Sequence, residues 1–168
     1  VTKPVAEATV YVTAHGIYEA SVNGHRVSDD LLTPGWTAYK KRLQYQAYDI
    51  TPLVVRGDNA IGVTVAKGWW LSKLPWSREF NYGDKYGLLA QIVLRYKDGT
   101  KEVIATDDTW RASTGEVSYG NLYDGETIDL NRRQKGWDTP SFDDASWASV
   151  QVADTSLDNL TASVSPAV

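Results

Sequence analysis

Oxygen-bearing side chains crowd one short stretch of this chain. From Ser118 to Asp129 the sequence reads SYGNLYDGETID, so that Asn121, Asp124, Glu126 and Asp129 fall within nine residues. Gly120 and Gly125 let the backbone reverse sharply among them. Carboxylate and amide oxygens in a tight loop suit sugar hydroxyls, or a hard cation such as Ca²⁺. The spacing is not that of an EF-hand, and a calcium site here would rest on Asp124 and Glu126. The competing reading is an irregular acidic edge loop whose side chains cap backbone groups.

A second stretch, Lys67-Gly68-Trp69-Trp70, offers the complementary chemistry. Read as a strand continued from Ile61, Val63 and Val65, it puts Trp69 on their face and points Trp70 away. One ring then serves the core and the other is free to stack on the C–H face of a sugar, unless Gly68 bulges and exchanges them. Trp76, Phe80, Asn81 and Tyr82 extend the loop with rings and an amide. Aromatic faces beside amide and carboxylate hydrogen bonders are what a sugar site requires. The candidate sugar-binding residues are therefore Trp69, Trp70, Asn81, Tyr82, Asn121, Asp124 and Glu126, with core packing as the rival use of each Trp.

Signs of other chemistry are sparse. No Gly-rich phosphate loop, HExxH or GxSxG occurs. His15 and His25 flank an expected hairpin and share no metal-ligand spacing. Carboxylates pair at Asp29-Asp30, Asp107-Asp108 and Asp143-Asp144, but a glycosidase needs two carboxyls facing one another across a pocket, not neighbours in sequence. Each pair sits among turn residues, where Asp bonds its own backbone. No residue of this chain is assigned a catalytic role.

Composition narrows the field further. A formal net charge of -4 argues against nucleic acid, because phosphate binding needs clustered cations and Lys40-Lys41-Arg42 is too short a patch. No apolar run approaches the roughly 18 residues of a membrane helix. No signal peptide opens the sequence as given. With no cysteine there is no disulfide, thiolate metal site or Cys nucleophile. Seven Trp and ten Tyr stand against two Phe, a bias toward rings with a polar edge, which serve half-wet surfaces or strands.

The elements that must carry these residues are strands. Alternation marks 8–13, 18–22, 44–50, 60–66 and 88–96, with weaker candidates at 110–113 and 116–119. Asn23-Gly24 predicts a tight hairpin into 25–27, and Lys97-Asp98-Gly99-Thr100 joins 88–96 to 102–106. Helical periodicity is absent apart from one turn around 143–147. The expectation is an all-β fold, an antiparallel two-sheet β-sandwich with jelly-roll-like connections. Three long loops, 28–43, 68–87 and 119–137, hold five of the seven Trp. Residues 1–153 read as the sandwich, and 154–168, polar and rich in small residues, as a linker or frayed end.

With these segments in view, the chain resembles the N-terminal accessory domain of bacterial α-L-rhamnosidases. The resemblance rests on ATVYVTAHGIYEASVNGHRV, LTPGWTAYKKRLQYQAYDIT, GDNAIGVTVAKGWW, YGDKYGLLAQIVLRYKDGT, TDDTW, the YDGETID loop and GWDTPSFDDASW, in that order from Ala8 to Val152. It implies a β-sandwich ahead of a separate catalytic (α/α)₆ barrel of the same parent chain, which cleaves terminal α-linked L-rhamnose. The catalytic acid and base would lie in that barrel. It further implies a secreted or periplasmic parent, and a domain that binds a rhamnose-containing glycan, with calcium assisting in some relatives, or that is structural. The family's acidic loop often ends Tyr-Asp-Ala-Arg, whereas Ile128-Asp129-Leu130-Asn131 stands here. The reading favoured is a non-catalytic sugar-binding or substrate-presenting module. The alternatives are a purely structural sandwich packed on the barrel and, less favoured, a self-contained hydrolase.

Overall fold

Alternation of inward apolar and outward polar residues organises the computed structural model, which describes residues 1–164. Its strands are β1 Val5–His15, β2 Ile17–Val22, β3 His25–Arg26, β4 Leu43–Asp49, β5 Ile61–Ala66, β6 Gly87–Tyr96, β7 Lys101–Ala105, β8 Arg111–Ala112, β9 Val117–Asn121, β10 Gly125–Ile128, β11 Ala148–Ser149 and β12 Leu160–Ala162. One helical turn, α1 Gly68–Leu71, and 3₁₀ turns at Thr51–Leu53 and Leu130–Arg132 are the helical pieces among the described residues. A five-stranded sheet, ordered β12-β4-β1-β6-β7, faces a three-stranded sheet, β3-β2-β5. Two small ribbons, β9–β10 and β8–β11, stand outside them. The strand pairs are antiparallel except β12 with β4. The expected antiparallel sandwich is what forms.

The core lies between the two sheets. Ala8, Val10, Val12 and Ala14 of β1, Ala90, Ile92, Leu94 and Tyr96 of β6, and Tyr18, Ala20 and Val22 of β2 make one buried cluster with Ile50. Every second residue of each strand is in, as period two requires. Each fully buried Val or Leu contributes about 1.5–3 kcal/mol relative to exposure, which makes these three strands the main source of stability. From β1 to β2 the chain passes from one sheet to the other through a single residue, Gly16, between His15 and Ile17. Its φ is +141°, and a Cβ there would sit 2.4 Å from the Ala66 carbonyl oxygen. Only glycine fits so close an approach.

Turn chemistry follows the sequence. Asn23 and Gly24 both take positive φ, 53° and 80°, and close β2 onto β3. Asp98 Oδ1 accepts from the Thr100 amide and hydroxyl, which fixes the β6–β7 turn. Asp107 does the same with Thr109, and Asp143 accepts from the Ala145 amide. Asp30 differs from its expected turn role, because its Oδ2 accepts from the Tyr48 hydroxyl at 3.0 Å, across to β4.

Three stretches depart from the sequence reading. The strand expected to run on from β5 stops at Ala66, and 68–71 coils into α1. Gly68 adopts φ +50° against Ile17, where a Cβ would lie 2.5 Å from Ile17 Cγ2, so the backbone turns off the sheet. The acidic loop 121–129 is instead largely a hairpin, β9–β10, closed around Gly125 at φ +81°. Within 154–168, read as linker, Leu160–Ala162 adds a parallel strand to the free edge of β4, held by the Leu43 amide on the Asn159 carbonyl and the Ser163 amide on the Tyr45 carbonyl. Residues 165–168 of that stretch lie outside the described residues.

Candidate functional site

Two loops converge where the sandwich ends. The chain leaving β5 through α1 runs 67–86 before entering β6, and the β9–β10 hairpin rises beside it. The Lys67 ammonium sits 4.7 Å above the Tyr119 ring centroid, and Lys73 Nζ lies 3.7 Å from Asp124 Oδ1. These contacts join the two stretches that carry the expected stacking faces and oxygen acceptors.

Within the first loop the candidate residues divide between holding it and facing solvent. Trp70 stacks on His15, centroids 4.0 Å apart and planes 7° from parallel, with its indole N–H on the Lys85 carbonyl at 3.0 Å. It also meets Tyr39 edge-on at 5.3 Å. Gly83 passes so close that a Cβ would lie 2.3 Å from Trp70 Cζ2. Tyr82 stands edge-on to Tyr39 at 4.9 Å, and its hydroxyl accepts from the Trp36 indole N–H at 3.1 Å. Asn81 donates to the Ser72 and Arg78 carbonyls. Trp70, Asn81 and Tyr82 thus spend their contacts on shaping the loop.

Trp69 turns the other way, stacking with Trp36 at 5.8 Å and 7°, and Trp36 stacks in turn with Trp76 at 6.2 Å and 22°. Trp36 is 41% exposed and Trp76 73%. So exposed an indole at the end of a ring stack is an open platform, since water covers a face that a sugar's C–H groups would satisfy better. The sequence reading placed Trp36 and Trp76 in long loops without assigning them to the site. No local signal shows that a residue of the 28–43 loop will meet the 67–86 loop.

On the hairpin, Asn121 is buried, with its Oδ1 accepting the Tyr123 amide at 2.9 Å. Its buried amide NH₂ has no partner among the described residues. Tyr123 is 49% exposed. Asp124, exposed, takes the Tyr119 hydroxyl at 3.4 Å besides Lys73. Glu126, also exposed, pairs in register with Gly120. A calcium ion needs six to eight converging oxygens. Among the described residues no three acidic or histidine side chains cluster, and Asp124 already neutralises a lysine. The donors do not fit a calcium site.

Trp137, at the end of the 119–137 loop, packs within the protein. Trp137 and Trp147 stack at 6.2 Å with Phe142 edge-on at 5.5 Å. Trp137 covers Gly62 of β5 so tightly that a Cβ there would lie 2.5 Å from its Cζ3.

Burial beneath Trp70 lowers the pKa of His15 below the ordinary 6.5. The unfolded chain therefore binds a proton that the folded chain resists as pH falls through about 6.5. Stability is expected to be full above that pH and to decline below it. Urea midpoints at pH 7.5 and 5.5 measure the decline, and His15→Phe should flatten it. An unchanged slope in that variant would assign the effect elsewhere.

The fold and this loop face define a β-sandwich domain that presents a tryptophan stack beside an acidic hairpin. Comparison with known proteins gives the family. The model of the α-L-rhamnosidase N-terminal domain matches residues 3–168, and the chain belongs to that family. An α-L-rhamnosidase of Streptomyces avermitilis is 44% identical over 155 residues, 92% of this chain but 15% of the relative. One from Formosa agariphila is 43% identical over 149 residues, 88% of this chain and 16% of its own length. Among solved structures, the Streptomyces avermitilis enzyme complexed with L-rhamnose superposes with a TM-score of 0.91 at 43% identity, over 95% of this chain and 16% of that one. Native α-L-rhamnosidase from Aspergillus terreus superposes with a TM-score of 0.94 at 37% identity, over 96% and 19%. The chain thus spans about a sixth of these relatives.

Proposed function

We propose that this chain is a non-catalytic, sugar-binding module that presents rhamnose-containing glycan to the catalytic (α/α)₆ barrel of a secreted or periplasmic α-L-rhamnosidase. The observation that supports it is the convergence of the two loops through Lys67–Tyr119 and Lys73–Asp124, with Trp76 exposed on one loop and Tyr123, Asp124 and Glu126 exposed on the other. A sugar ring has apolar C–H patches on its faces and hydroxyls at its rim, and this surface offers a partner to each.

L-rhamnose is expected to bind with a Kd on the order of 0.1–1 mM, because a small polar ligand gives up well-made hydrogen bonds to water. Asp124→Ala or Glu126→Ala should abolish the binding seen by calorimetry, and Asp107→Ala, in the Thr109 turn, should leave it intact. EDTA should not weaken it, since the acidic donors do not converge on a metal. An aryl α-L-rhamnoside should not be turned over by this chain. Turnover that survives repurification and is lost on mutating a carboxylate here would overturn the non-catalytic reading.

The structural alternative draws on a different observation. Val117, Ile128 and Leu130 of the hairpin region are exposed, Leu130 by 65%, and exposed apolar side chains on a ribbon suit burial against a neighbouring domain. No rhamnose binding would favour this reading, with the two loops then in contact with the barrel.

A further inference from the structure

Of the asparagines in the sequence, Asn23 alone is followed by glycine. With no side chain on Gly24, little keeps its nitrogen from the neighbouring carboxamide carbon, and an Asn-Gly pair is prone to cyclise. In that reaction the Gly24 nitrogen gives up its proton to solvent base and bonds to Asn23 Cγ. The Cγ–Nδ2 bond breaks and ammonia leaves. Water then opens the imide ring at either carbonyl, giving aspartate or, with the backbone rerouted through Cγ, isoaspartate. We infer that Asn23 is a latent deamidation site that the fold holds shut. Modification then requires opening of the β2–β3 turn, and it weakens that turn once it has occurred.

Both reacting groups are engaged. Asn23 Nδ2 donates to the Leu53 carbonyl and to Asn59 Oδ1, each at 2.9 Å, and Asn23 Oδ1 accepts the Ala60 amide at 2.9 Å. The Gly24 amide donates to the Asp138 carbonyl at 3.0 Å. Ring closure needs the carboxamide to leave its three partners and the Gly24 nitrogen to leave its one. Losing these bonds together is a local opening, and its small population limits the rate. Burial is not the barrier, because Gly24 is exposed and Asn23 only half-buried, so water reaches the turn.

The product does not restore these contacts. In aspartate an oxygen replaces Nδ2 and faces two acceptors, the Leu53 carbonyl and Asn59 Oδ1. Turning the Asn59 amide over to meet it would sacrifice the bonds Asn59 makes with the Val55 amide and with the Val55 and Gly57 carbonyls. Isoaspartate also adds a backbone atom to a two-residue turn whose residues hold φ at 53° and 80°.

The test incubates the chain at pH 8 in buffer and in urea beyond its unfolding midpoint, with mass spectrometry of the tryptic peptide ending at Arg26. In urea this peptide should deamidate ahead of every other asparagine-containing peptide. In buffer the rate should fall by about tenfold or more. Asn59→Ala removes one acceptor and the Val55 brace, and should raise the rate in buffer severalfold while leaving the rate in urea unchanged. Asn23→Asp stands for the product, and its ratio of folded to unfolded chain should be about tenfold below that of the unaltered chain. Asn23→Gly loses the same donors without adding a charge and should lose less. Urea midpoints measure both and report that the variants fold. The inference is overturned by equal rates in buffer and urea, by another asparagine reacting first in urea, by a rate in buffer that ignores Asn59→Ala, or by Asn23→Asp as stable as Asn23→Gly.

Discussion

Replacing Gly16 by valine is expected to lower the unfolding free energy by about 3 kcal/mol or more, a large share of the 5–15 kcal/mol that holds an ordinary domain. Two costs combine. The φ of +141° is one that L side chains rarely adopt, and the new Cβ would lie 2.4 Å from the Ala66 carbonyl oxygen and 3.1 Å from Val65 Cγ1. That carbonyl cannot simply retreat, because Ala66 is paired with Ile17 in the β2–β5 ladder. Relief therefore requires parting β5 from β2 at the crossing between sheets. For a chain of this size the loss corresponds to a Tm lower by roughly 10 °C. Urea unfolding measures it, and a loss under about 1 kcal/mol would show that the corner relaxes without strain.

Trp70→Ala and Trp76→Ala are expected to separate stability from binding. Trp70 is locked between His15, Tyr39 and Gly83 with its N–H satisfied. Its removal opens a cavity under the whole 67–86 loop and should cost about 3 kcal/mol, the low end of buried aromatic truncations because the ring is only partly buried. Trp76 has one aromatic neighbour and stands 73% exposed, so Trp76→Ala should change stability by less than about 0.5 kcal/mol. It should nonetheless weaken rhamnose binding about tenfold, the loss of one stacking face. Thermal melts paired with calorimetry on both variants check this. Equal stability losses, or unaltered affinity in Trp76→Ala, would remove Trp76 from the site.

The architecture was legible in the sequence wherever the signal is local. Alternating runs marked β1, β2, β4, β5 and β6, because a strand half-buried on one face repeats every two residues. Asn23-Gly24 and Asp98-Gly99 announced their turns, because positive φ is cheap only for a few residue types. The family was legible too, in the ordered set of segments from Ala8 to Val152.

What the sequence did not determine is which side chains meet. Trp69 and Trp70 are neighbours, and period two assigned one to the core and the other to a ligand. In the fold Gly68 coils the chain into α1, Trp70 goes under the loop onto His15, and Trp69 goes out to Trp36, 33 positions earlier. Asn121 and Asp124 looked alike as oxygen donors, yet one is buried in its own turn and the other reaches Lys73. The parallel strand β12 carried too weak a pattern to stand out, and only the open edge of β4 gives it a partner. Strand and turn preferences are properties of a few consecutive residues, which the sequence states directly. Burial and stacking partners depend on segments brought together across the whole chain, and only the tertiary structure decides them.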